Sequence, residues 1–196
     1  MACGAYHSVI LTEDGKAWVW GDNQHGQLGI VSSITNHPPF PQLLHLPKSP
    51  FPKIRFSKVI CGWHHTVAFS ENGSCFVWGM NKYGQLGLGD KHNRYEPTLL
   101  KRETPFISIV CGRFHTIGLS IDRKCYSWGS NESGQLGVSR SIWSHSDSPI
   151  EVFFLQSISK FVIKEIYCGA LHSLLLTFDN QCIGWGDNTH GKTFFF

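Results

Sequence analysis

The chain has 196 residues, of which 41% are hydrophobic and 16% charged, with a formal net charge of +3. That is too apolar for a disordered chain. No run of Lys and Arg exceeds two residues, so direct nucleic-acid binding is not expected. The start lacks a charged segment followed by an apolar one, and no long uncharged apolar run offers a membrane helix. A reducing setting, cytoplasmic and/or nuclear, is the expectation.

In chain order, one unit recurs four times. It starts at Cys3, Cys61, Cys111 and Cys168, at spacings of 58, 50 and 57 residues. Each Cys is followed by Gly (Gly4, Gly62, Gly112, Gly169) and, four positions on, by His (His7, His65, His115, His172). Next come Ser8, Thr66, Thr116 and Ser173, then Trp-Gly at 20–21, 78–79, 128–129 and 185–186. Asn23, Asn81, Asn131 and Asn188 follow, and Gly26, Gly84, Gly134 and Gly191. Three copies end Gln-Leu-Gly (27–29, 85–87, 135–137); the fourth reads Lys192-Thr193-Phe194. The repeat cores are 3–29, 61–87, 111–137 and 168–191. A period of this length means a solenoid, a propeller or an array. The whole chain, 1–196, is expected to be one domain, because each copy needs neighbours to bury its faces.

In the second copy, residues 65–70 and 75–79 are β-branched and aromatic runs flanking Glu71-Asn72-Gly73-Ser74. This predicts a hairpin with Asn72-Gly73 at its tip, pairing Phe69 with Phe76 and Val67 with Trp78 on one face. On the other face it pairs Ser70 with Cys75, Ala68 with Val77 and Thr66 with Gly79. Large side chains would then lie on one face and small ones on the other, with both faces apolar enough to be buried. Asp14-Gly15 and Asp179-Asn180 occupy the tip in the first and fourth copies; Asp122-Arg123 in the third predicts a different turn. Upstream strands are expected at 56–60, 107–110 and 161–167, with 156–165 reading as strand rather than helix. The first copy has no preceding strand of its own. The Pro-richer stretches 36–52, 95–105 and 144–149 are expected to be surface loops plus an outer strand, where specificity resides.

The columns Cys-Gly-x-x-His-Thr/Ser and Trp-Gly-x-Asn-x-x-Gly-Gln-Leu-Gly resemble the repeat of the regulator of chromosome condensation (RCC) family, from Cys3 to Gly191. The resemblance implies an all-β fold, a partial propeller of about four RCC-type repeats with four-stranded antiparallel blades. The family ring has about seven blades, so a fragment, an isoform or a short gene product is expected. Phe194, Phe195 and Phe196 would add an exposed apolar end. Family members include a plant ultraviolet-B photoreceptor with Gly-Trp-Arg-His-Thr motifs. Only Gly62-Trp63-His64-His65-Thr66 approaches that pattern, while Ala5, Arg113 and Ala170 occupy the position elsewhere. Light sensing is therefore not expected.

No catalytic, cofactor-binding or metal-binding residues are assigned, and an enzyme is not expected. His7, His65, His115 and His172 recur once per copy, whereas a ligand is needed once per site; a buried hydrogen bond to loop backbone is the expected role. His25, His37, His45, His64, His92, His145 and His190 lack ligand spacing. Cys75, Cys125 and Cys182 share a column with Ala17, which reads as a small buried apolar position rather than a disulfide set. Gly191-Lys192-Thr193 lacks the earlier glycine of a phosphate loop. The expected function is a non-catalytic protein–protein interaction propeller, a regulatory module of the small-GTPase signalling type. The resemblance allows two alternatives: guanine-nucleotide exchange on a Ran-like small GTPase, or partner binding of the kind found beside HECT-type ubiquitin ligase domains. For exchange, the segment 35–53 is the candidate wedge, and Glu96, Glu103, Asp147 and Glu151 are the acidic spacer residues.

Overall fold

The computed structural model describes residues 1–31, 37–38, 40–45, 54–152 and 162–193, and its regular structure is entirely β. The chain divides into two compact units, Met1–Lys82 with His92–Lys101, and Tyr83–Lys91 with Arg102–Phe196.

The first unit holds two four-stranded antiparallel meanders. One is β1 (Ala2–Cys3), β2 (His7–Leu11), β3 (Ala17–Gly21) and β4 (Gln42–Leu43). The other is β5 (Phe56–Cys61), β6 (His65–Ser70), β7 (Cys75–Gly79) and β8 (Arg94–Leu99). Every residue of β6 and β7 is buried, as two-faced apolar strands require. Val9, Val19, Leu28, Phe56, Ala68 and Trp78 form one core shared by the two sheets. Each such large apolar side chain contributes about 1.5–3 kcal/mol by leaving water.

The second unit holds β9 (Phe106–Cys111), β10 (His115–Ser120), β11 (Cys125–Ser130) and β12 (His145–Glu151) in one sheet. β13 (Ile163–Cys168), β14 (His172–Thr177) and β15 (Cys182–Gly186) form another. Ile117, Leu119, Ile163, Ile166, Leu175 and Trp185 are its core.

The hairpins fall where the sequence puts them, but one residue out of register. β6 and β7 pair Thr66 with Trp78, Val67 with Val77, Ala68 with Phe76 and Phe69 with Cys75. Large and small side chains are therefore cross-strand partners on each face instead of segregating by face. The cause is the turn. The Gly73 amide donates to the Ser70 carbonyl and the Ser70 amide to the Ser74 carbonyl, both at 2.9 Å, with Gly73 at φ 82°. This is a three-residue loop with a left-handed bulge residue, not a two-residue turn. The third copy repeats it, with Arg123 at φ 63° and Arg123 N–H to Ser120 C=O at 2.9 Å. The expectation of a different turn there is thus wrong. A Ser/Thr column with Asp or Asn two residues on (Asp14, Asn72, Asp122, Asp179) accounts for the uniformity. The Thr12 and Ser70 hydroxyls donate to the Asp14 and Asn72 side-chain oxygens at 2.5 Å, and Ser120 donates to Asp122. The carbonyl four residues on lies further from Thr12, Ser70 and Ser120, at 3.1, 3.1 and 3.0 Å, and 3.2 Å from Thr177. These local side-chain bonds close the loop.

One further expectation needs correction. The first copy does have a preceding strand, the short β1, whose Cys3 pairs with Ser8. The fourth sheet has three strands among the described residues. The upstream strands are present at β5, β9 and β13; residues 153–161, the start of the run expected before Cys168, lie outside the described residues, as do 194–196.

Candidate interaction surface

The repeat columns are consumed in holding the sheets together. In the first unit the Gln27 carbonyl accepts from the Thr66 hydroxyl at 2.8 Å and from the Trp78 indole N–H at 2.9 Å. The Thr66 hydroxyl has one proton and spends it on Gln27. It must therefore accept from His7 Nε2, 2.8 Å away, which makes that nitrogen the protonated one. In the second unit Ser173 and Trp185 donate to the Gln135 carbonyl at 2.8 and 2.9 Å, and His115 Nε2 lies 3.0 Å from the Ser173 hydroxyl. Thr116 and Trp128 do the same to the Gln85 carbonyl, at 2.8 and 2.9 Å.

Where a bond to loop backbone was expected of the column, His7 and His115 instead bond a hydroxyl of the following repeat. Each ring lies on the glycine three residues earlier. A Cβ on Gly4 would stand 2.3 Å from His7 Cε1, and one on Gly112 2.1 Å from His115 Cε1. Burial, with the neighbouring His64 as a lesser cause, pushes His7 down to about 4. Burial, then the nearby His172, pushes His115 down to about 3. Both imidazoles are held neutral at physiological pH.

The Asn column closes the box. Asn23, Asn131 and Asn188 side-chain oxygens accept from the amides of Leu28, Leu136 and Thr193, each at 3.0 Å. The divergent fourth box therefore keeps the turn. Even its Lys192 repeats an older contact, since Lys192 Nζ meets Asp187 at 2.6 Å where Gln27 Nε2 meets Asp22 at 2.6 Å. Asp187, held by Lys192 first and by Thr189, is pushed down to about 2. Lys192 serves an ion pair, not a phosphate. The cysteines are all free; burial raises Cys75 and Cys125 to about 12, as a small apolar column requires. Cys182 departs from that expectation and is exposed.

Left half-buried or exposed are the two variable residues between Gly and His, with the variable residue before the box glycine. In the first unit these are Tyr6, His64 and His25. Tyr6 and His64 stack at 5.4 Å between ring centroids, and His25 meets His64 edge-on at 5.2 Å; Tyr6 is 61% exposed. In the second unit the same columns bring Tyr83 to Phe114 at 5.0 Å, with the Arg113 guanidinium 4.8 Å from the Phe114 ring. Sequence reasoning treated these as scattered histidines and photoreceptor positions and missed that they cluster. The signal was their fixed offset from the Cys column.

Glu96 is exposed on β8, and Glu103 is exposed. Glu151 pairs with Lys124 at 3.4 Å. Asp147 packs on the box, its Cα 2.3 Å from where a Cβ on Gly84 would be. Of the candidate wedge, residues 42–43 serve as β4, and residues 35–36, 39 and 46–53 lie outside the described residues. Among the described residues no group of three His, Cys, Asp or Glu side chains could hold a metal ion, and no helix is long and apolar enough to cross a membrane.

Antiparallel sheets with this box and this His–hydroxyl–carbonyl chain define a β-propeller blade of the RCC type, so the class is all-β, an incomplete set of propeller blades. Residues 1–194 match the RCC1-like domain family, and the chain belongs to that family. It is 43% identical over 101 residues to the probable E3 ubiquitin-protein ligase HERC4 of Homo sapiens, covering 52% of this chain and 9% of that one. It is 34% identical over 192 residues to the ultraviolet-B receptor UVR8 of Arabidopsis thaliana, covering 98% of this chain and 42% of the receptor. The chain thus spans less than half the length of these relatives. The crystal structure of Prp20p from Saccharomyces cerevisiae superposes with a TM-score of 0.78 at 23% identity, over 98% of this chain and 45% of Prp20p.

Proposed function

We propose that the four repeats act as one non-catalytic protein-docking domain, a regulatory module of the small-GTPase signalling type. The observation that carries it is the division of labour within each repeat. His, Thr/Ser, Trp, Gln and Asn are spent inside the blade, while the outward columns present Tyr6, His25 and His64 in one unit and Tyr83, Arg113 and Phe114 in the other. Rigid aromatic and Arg side chains are the residue types that anchor protein interfaces. Prp20p, whose structure was described together with its binding to Gsp1p and histones, supports a protein partner on such blades. The protein would work in the cytoplasm and/or nucleus.

Two finer readings are supported differently. Exchange on a Ran-like GTPase needs only tighter binding of the nucleotide-free form. The likeness to HERC4 supports partner binding for a ubiquitin ligase, whose catalysis would lie outside these repeats. Release of a fluorescent GDP analogue from a panel of small GTPases separates them. Accelerated release that falls at least about tenfold in Phe114→Ala and Tyr6→Ala proteins supports exchange through this face. Saturable GTPase binding without release supports docking, and no binding to any panel member sinks the GTPase reading.

A further inference from the structure

Three Ser/Thr-Pro pairs occur in the sequence: Ser49-Pro50, Thr104-Pro105 and Ser148-Pro149. Ser49 lies outside the described residues. The other two stand in opposite settings. Ser148 is part of β12; its hydroxyl donates to Asp147 Oδ1 at 3.2 Å, and its carbonyl accepts from the Ser146 hydroxyl at 2.6 Å. Thr104 belongs to no strand and is half-buried between the exposed residues Glu103 and Pro105. Its hydroxyl makes no hydrogen bond among the described residues.

Two positions earlier, Arg102 has no counter-ion among the described residues. Its guanidinium carbon lies 4.4 Å from the Phe106 ring centroid and 4.0 Å from that of Tyr126, and its Nε donates to the Thr104 carbonyl at 3.2 Å. Attraction to the two ring faces fixes the cation in place. Glu151, opposite Tyr126 in the ladder, is taken by Lys124 at 3.4 Å. Glu103 is exposed, and water and salt screen its charge. The Nη groups of Arg102 therefore still have protons to donate. The carbonyl that holds the guanidinium and the free hydroxyl belong to one residue, so an oxyanion on Thr104 Oγ1 comes within reach of that fork.

We propose that Thr104 is a phosphorylation site for a proline-directed kinase and that Arg102 receives the phosphate. In the transfer the Thr104 hydroxyl oxygen attacks the γ-phosphorus of ATP, the bond from that phosphorus to the ADP oxygen breaks, ADP leaves, and the hydroxyl proton passes to the kinase's catalytic carboxylate. The product carries a charge of about −1.5 to −2, and the Arg102 fork meets its oxygens with about two charge-assisted hydrogen bonds. That pair pins the segment leading into β9 and turns a cationic spot anionic. Ser148 offers the reverse, since a phosphate there would face the Asp147 carboxylate. The Pro105 carbonyl accepts from the Ile121 amide at 3.1 Å, so Thr104 lies at the hairpin-tip end of its sheet, whereas Phe114 precedes the other end of β10. The site does not rest on the aromatic face assigned above.

The test uses the full chain carrying Ser49→Ala, a proline-directed Ser/Thr kinase and MgATP, with the modified sites mapped by mass spectrometry. Thr104 should take up phosphate at least about tenfold faster than Ser148. The phosphothreonine is then titrated by phosphorus NMR, native and in urea. Its second pKa should be about 6 in urea and lower in the native chain by about half a unit to one unit, with Arg102→Gln bringing the native value back. No uptake at Thr104, or uptake at Ser148 that equals it, overturns the site. Equal native and urea titrations, or a native value that stays low in Arg102→Gln, overturn the role of Arg102.

Discussion

The second sheet and the fourth are written in the same columns, and they differ on one side. β7 lies between β6 and β8, and all five of its residues are buried; among the described residues β15 pairs with β14, and its first residue is exposed. The Trp column barely notices, since Trp78 is 0% and Trp185 2% exposed, each with its indole bonded to a Gln carbonyl at 2.9 Å. The Cys column notices fully. Burial of the Trp depends on the preceding repeat's box, whereas burial of the Cys depends on the outer strand of its own sheet.

The largest expected effect tests what the two sheets share. Trp78→Ala should cost about 3–5 kcal/mol in urea unfolding, and Trp185→Ala should approach it because it leaves an equivalent buried cavity and removes an equivalent indole bond to a Gln carbonyl. A near-zero cost at either would break the equivalence of the boxes. The next effect tests how they differ. Cys75→Asp places a carboxyl in a dry site and should cost about 3 kcal/mol, whereas Cys182→Asp should stay within about 0.5 kcal/mol. Equal losses would mean that the edge of β15 is covered in solution.

Acid sharpens the histidine chain. His7 and His115 take up protons less readily folded than unfolded, so the unfolded chain binds more protons below the ordinary histidine value of 6.5. Stability is therefore complete above pH 6.5 and falls as pH drops, through about 4 for His7 and about 3 for His115. The loss over each range should be roughly 3 kcal/mol for His7 and roughly 5 kcal/mol for His115. Urea midpoints at pH 7, 5.5 and 4 should fall in that order, and a flat profile would contradict neutral buried rings. Thr66→Val removes the hydroxyl between His7 and Gln27 and should cost about 1–3 kcal/mol through the unpaired His7 ring nitrogen, the Gln27 carbonyl keeping its bond from Trp78.

The smallest effects test the turns. A Cβ on Gly73 would meet nothing within 4 Å, so Gly73→Ala isolates the cost of φ 82°, about 1 kcal/mol. Asn180 adopts φ 64° in the fourth copy, and Asn180→Gly should raise stability by a few tenths of a kcal/mol. Melting temperatures moving in the same direction would show that the two loops are not the same turn.

The hairpins, the upstream strands and the structural role of the His column were legible because each leaves a local mark. The register was not, because Asn72-Gly73 reads as a two-residue tip until the Ser70 hydroxyl is seen closing a longer loop on the Ser74 carbonyl. The Ser/Thr column at 12, 70, 120 and 177 was the available signal. The aromatic cluster was missed for a related reason: Tyr6 and His64 are far apart in sequence and meet only when two sheets pack.

By itself the sequence determined that there are four copies of one antiparallel unit, and which residues in each are small, aromatic or able to hydrogen-bond. Periodic side-chain chemistry is a property of neighbours along the chain, so it survives in one dimension. Only the tertiary structure decided which groups those residues meet. His7 finds its hydroxyl 59 positions away, and Trp78 its carbonyl 51 positions away. It also decided the register of each hairpin, because cross-strand pairing is set by the closed loop rather than by the residue types along either strand.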